Sequence, residues 1–90
     1  MKLIKTCSAC PSQWEGQLDS GLFMYVRYRW GRLQIGIGYN INTAVRDYTV
    51  SLDIGDPFDG DMSDDTMYEY LDKYADIIRK KEVELCGTPL

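Results

Sequence analysis

The stretch YVRYRWGRLQIGIG, residues 25–38, sets two arginines, Arg27 and Arg29, among bulky aromatics and then runs into two spaced glycines, Gly36 and Gly38. A guanidinium is a planar fork of donors that matches a carboxylate or a phosphate. Glycine inside a strand costs stability and marks a place where a ligand or another backbone comes close. If the stretch is a hairpin turning at Gly31-Arg32, Trp30 faces Leu33, Arg27 faces Gly36 and Tyr25 faces Gly38. Tyr25, Arg27, Arg29, Gln34, Gly36 and Gly38 then share one face, a shallow floor with a fork beside it. That face suits a nucleotide, another anion or an acidic protein loop. The plainer reading is a solvated sheet face, with arginine stems and Tyr25 lying over the glycines.

The second chemical feature is sulfur. Cys7 and Cys10 form a C-x-x-C, and Cys86 stands at the other end of the chain. Three thiolates suit a structural zinc, which takes four ligands, so a fourth would come from an aspartate, a water or another chain. A full zinc signature carries a second C-x-x-C or a histidine, and here neither is present. Small half-buried thiols are the plainer expectation, with no cofactor. An odd cysteine count with no signal-like apolar run argues against a secreted disulfide framework, and the expected location is the cytoplasm. The chain has no histidine, so Ser-His-Asp and Cys-His catalysis are excluded, and the expectation is that the protein is not an enzyme.

Charge is the third feature. The net charge is −4, yet six Lys/Arg stand against two Asp/Glu in residues 1–46, and nine Asp/Glu against one lysine in residues 53–76. An acidic domain is poorly suited to neutralising DNA phosphates. Asp59, Asp61, Asp64 and Asp65 could instead meet a basic surface on a partner protein, or serve only as a solvated loop and helix start. The order of acids after Asp59 fails the calcium-loop pattern, with Asp64 at the position that needs glycine and Tyr70 at the one that needs glutamate.

The elements that must position these residues follow from periodicity. Ninety residues make one small domain, residues 1–90. No apolar run is long enough to cross a bilayer, so no membrane partner is expected. Residues 1–6, 14–18, 22–30, 33–39 and 46–54 read as strands, the first short; a turn lies at 19–21 and a loop at 40–43. Ser63 reads as a helix N-cap with Asp64 and Asp65 in the first turn, followed by one helix over 66–84 whose stripe is Met67, Leu71, Tyr74 and Ile78. The expected class is α+β: an antiparallel meander of about four strands with one C-terminal helix packed on one face. Met24, Val26, Tyr28 and Trp30 alternate toward that helix, as do Leu33, Ile35, Ile37 and Tyr39, and Tyr48, Val50, Leu52 and Ile54.

The run from Cys7 to Gly31 resembles a group of small uncharacterised proteins from actinobacteria and their phages, in which C-x-x-C-P-S-Q-W precedes a D-G turn and Y-x-R-Y-R-x-G. The matching residues are Cys7, Cys10, Pro11, Ser12, Gln13, Trp14, Tyr25, Arg27, Tyr28, Arg29 and Gly31, with the turn altered to Asp19-Ser20-Gly21. The resemblance covers about a third of the chain and implies no established activity. It implies a phage or mobile-element setting, and with it a small inhibitor or adaptor that binds a host protein of the defence machinery, in the manner of an anti-CRISPR inhibitor. A second copy of the chain counts among the candidate partners.

Overall fold

In a computed structural model that describes residues 3–7, 12–56 and 60–87, the chain is an α+β domain built on one five-stranded antiparallel sheet. The strands are β1 (Ile4–Cys7), β2 (Ser12–Gln17), β3 (Phe23–Arg29), β4 (Arg32–Gly38) and β5 (Tyr48–Asp53), and they lie side by side in chain order. The helices are α1 (Ile41–Arg46), α2 (Asp64–Lys73) and α3 (Ala75–Cys86). Among the described residues no helix is long and apolar enough to cross a membrane.

The inner face follows the period-two pattern. Trp14, Met24, Val26, Tyr28, Leu33, Ile35, Ile37 and Val50 pack against Met62, Met67, Leu71 and Ile78. Trp14 is wholly buried, and its indole N–H donates to the Asp64 carboxylate at 2.8 Å. Ser12 is also buried; its hydroxyl donates to the Gly60 carbonyl and accepts from the Met62 amide, both at 3.1 Å. These bonds fasten residues 60–64 across β2, so a serine and a tryptophan from the beginning of the chain set where α2 starts. Ser63 caps that helix, its hydroxyl accepting from the Thr66 amide.

Several expectations are corrected. Among the described residues there are five strands, close to the expected number and at the five stretches read from the sequence, and three helices rather than one. The expected loop at 40–43 begins α1. Asn40 caps it in a reciprocal box with Thr43, each side chain accepting from the other's backbone amide. The expected single helix breaks at Tyr74, which leaves helical geometry at φ −107°, ψ 21°. No proline or glycine stands there. Tethers re-aim α3: Ser20 donates to Glu82, Lys81 pairs with Asp47, and the Tyr39 hydroxyl donates to the Leu85 carbonyl at 2.6 Å.

The β3–β4 turn is Trp30-Gly31, not Gly31-Arg32. Both residues have positive φ, 53° and 72°, and Arg29 pairs with Arg32. This geometry matches a type I′ turn, whose twist suits the flanking strands. Residues 54–56 pass directly beneath it: the amides of Ile54 and Gly55 donate to the Gly31 carbonyl, and a side chain at Gly31 would strike the backbone oxygens of Gly55 and Asp56. The register therefore differs by two residues from the expected one, which preserves every face assignment within the strands. Trp30 leaves the core and is 66% exposed, and Tyr39, beyond the end of β4, is also exposed. Tyr48 changes face for another reason. Ile35 pairs with Val50 but Gly36 pairs with Tyr48, so Thr49 is a bulge that turns Tyr48 to the outer side.

Candidate functional site

The outer face is divided into two halves. Toward one end, α1 lies across β3 and β4 with Ala44 fully buried. A Cβ on Gly36 would collide with the Ala44 carbonyl, and one on Gly38 would meet the Thr43 hydroxyl and, at 2.7 Å, the Ala44 amide. The two glycines thus are a floor, but its occupant is the backbone of this chain's own helix. Gly36 pairs with Tyr25 and Gly38 with Phe23. Tyr25 points to the outer face as expected and is nevertheless buried at 6% exposure, its ring centroid 6.5 Å from that of Tyr48. Burial pushes the Tyr25 phenol above its ordinary value of 10.0; Arg27 pulls it back, and Tyr48, Glu15 and Cys7 add to the rise.

Toward the other end the same face is open. Arg27 pairs with Gln34 and Arg29 with Arg32, and Arg32 in turn pairs with Asp53 on β5. Arg27, Arg29, Trp30, Arg32, Gln34 and Asp53 line a recess of about 340 Å³. Arg32 donates through Nε to the Asp53 carboxylate at 3.0 Å, both side chains well exposed. The Arg29 guanidinium lies 4.0 Å from the centre of the Trp30 ring, close enough for cation–π attraction. The Nε of Arg27 is buried and meets no hydrogen-bond partner among the described residues.

The structure therefore brings together Arg27, Arg29 and Gln34 of the expected site; Gly36 and Gly38 are covered by α1, and Tyr25, next to Arg27 on the same face, is buried near Tyr48. It adds Trp30 and Arg32, and Asp53, which the alternation of residues 46–54 already places on this face, lies beside them. The face pattern of residues 25–38 placed the two arginines; what went unread was the capping signal of Asn40 and Thr43, which would have put a helix where the ligand was expected.

The acidic residues have separate positions. Asp64 is engaged by Trp14, and Asp64 and Asp65 occupy the first turn of α2, where the helix dipole favours negative charge. Asp61 is exposed ahead of the helix, and Asp59 lies outside the described residues. Cys7 ends β1 and Cys86 ends α3, while Cys10 also lies outside the described residues. Among the described residues no three of His, Cys, Asp and Glu come together as a metal site requires. The chain matches no protein-family model, no curated protein and no solved structure, so any assignment rests on this geometry alone.

Proposed function

We propose that the domain is a non-catalytic binding module whose open arginine face grips an anionic group. The observation that carries this reading is the recess itself. Arg27, Arg29 and Arg32 all line it, with Asp53 the one acid among its lining residues. Cations gathered around one recess favour an anion there, and a guanidinium fork can hold it through two hydrogen bonds. Inorganic pyrophosphate is a suitable first probe. It should bind the wild type with an affinity that falls as salt rises, and Arg27→Ala and Arg29→Ala should each weaken it. Absence of any calorimetric or thermal-shift response to millimolar pyrophosphate at low salt would sink the reading.

A second reading addresses the other side of the molecule. Asp61, Asp65, Glu69 and Asp72 are exposed at the start of α2 and along it, away from the arginine face. Such an acidic surface suits a small inhibitor or adaptor that meets a basic surface on a host protein; the phage or mobile-element setting rests on the resemblance of residues 7–31 alone. Its association rate should fall steeply with salt, and Asp65→Asn should slow it. A host partner whose on-rate is flat across salt counts against it.

A further inference from the structure

Trp30 has no structural reason to be a tryptophan. It is the first central residue of a tight turn, at φ 53°, where asparagine is preferred and a bulky side chain is strained. It is 66% exposed and contributes nothing to the buried core. The turn that carries it is braced from below by the two amides that donate to the Gly31 carbonyl, at 2.8 and 3.1 Å. The Arg29 guanidinium, stacked on the ring, fixes its attitude at the rim of the recess. Strain, exposure and bracing together describe a rigid aromatic platform held beside three cations.

From this we propose that the ligand of the arginine face is a free nucleotide, with its base stacked on Trp30 and its phosphates held by Arg27, Arg29 and Arg32; the proposal rests on the anion-binding reading above. A nucleotide combines a flat π-surface with an adjacent polyanion, which is the pairing the site offers. The recess, at about 340 Å³, lies within the range of small-ligand sites. The charge pattern selects a free nucleotide over a strand. The cations form one patch rather than a track, which matches the phosphates of a single nucleotide and not the run of phosphates along a strand.

The test compares two ligands with the same phosphate count. ADP and inorganic pyrophosphate are titrated calorimetrically into the wild type, Trp30→Asn and Arg27→Ala. ADP is expected to bind the wild type roughly tenfold or more tighter than pyrophosphate, in keeping with the contribution of base stacking on an aromatic ring. Trp30→Asn should reduce ADP to the affinity of pyrophosphate and leave pyrophosphate unchanged. Because asparagine suits the turn, that variant should be no less stable than the wild type, so its loss of binding is not a loss of fold. Arg27→Ala should weaken both ligands. Equal affinity of the two in the wild type, or an unchanged ADP advantage in Trp30→Asn, overturns the nucleotide assignment and leaves the anion reading standing. Failure of both to bind removes both proposals. A single-stranded oligonucleotide that binds more tightly than ADP overturns the free-nucleotide assignment in favour of a strand.

Discussion

Two halves of one sheet face, built from the same two strands, have opposite fates. At one end Gly36 and Gly38 have no side chains, and a six-residue helix settles onto them with its backbone in contact. At the other, Arg27, Arg29, Arg32 and Gln34 stand where a helix could not lie without burying their charges, and that end stays open. The difference teaches how to read glycine in a strand. It reports a close approach, and the approaching body can be the protein's own chain. An arginine farther along the same face reports the opposite, a surface kept from self-packing.

Substitutions can test this division from either side. The largest effect is expected from Gly36→Val, whose branched side chain would run into the Ala44 carbonyl and lift α1 from the sheet. It should destabilise the fold by about 3 kcal/mol or more, at or beyond the upper end of overpacking costs. Urea denaturation measures this, and a variant as stable as the wild type would show that α1 does not sit on Gly36.

Trp30→Asn is expected to act in the opposite direction, stabilising by about 1 kcal/mol as strain at a left-handed position is relieved. A lower denaturation midpoint would mean that Trp30 packs in solution in a way its exposure does not suggest.

The covered half also has a pH signature. The Tyr25 phenol is raised by burial, so above pH 10 the unfolded chain loses this proton while the folded one keeps it. Its contribution to stability is fully present below pH 10 and is lost as pH climbs toward the raised folded value. Tyr25→Phe should flatten that alkaline decline, and an equal decline in both proteins would place the titration elsewhere.

The smallest stability effect is expected from Arg27→Ala, within about 0.5 kcal/mol, because the packing lost with its stem is offset by removing a buried Nε that has no hydrogen-bond partner among the described residues. The open half then carries binding without carrying the fold. A loss of several times that amount, seen in the same urea experiment, would make Arg27 structural.

Much of the sheet was legible in the sequence because its signal is local. The alternation of Met24, Val26 and Tyr28 with Arg27 and Arg29 assigned both faces correctly even though the turn was misplaced, since a shift of two residues leaves parity intact. What was not legible depends on contacts distant in sequence. Trp30-Gly31 forms the turn with residues 54–56 packed beneath it, and helical continuity at Tyr74 yields to tethers at Ser20, Tyr39 and Asp47. The bulge at Thr49 carries no mark in its own sequence, and the Thr49 hydroxyl has no hydrogen-bond partner among the described residues. The site was half legible for the same reason. Side chains announced the arginine fork, but only the fold could say which half of the face stayed open.

The bonds joining the beginning of the chain to residues 60–68 bear on how the molecule is made. Every strand pairs with its neighbour in sequence, but the N-terminal strands have distant anchors as well: the Leu3 amide donates to the Tyr68 hydroxyl, Lys5 to the Met62 carbonyl and Ser12 to Gly60. During synthesis the first strand emerges first and must wait for more than fifty further residues before those anchors exist. The central hairpin closes on its own, because short loops cost less entropy to close than long ones. The N-terminal edge is therefore among the last parts to set, and pulse-labelled hydrogen exchange should find the β3 and β4 amides protected before those of β1. Simultaneous protection would indicate one concerted step. A chain caught before residue 68 has β1 and β2 paired only to their sheet neighbours, without the bonds to residues 60–68, and that interval is when a protease or a chaperone would have its best hold.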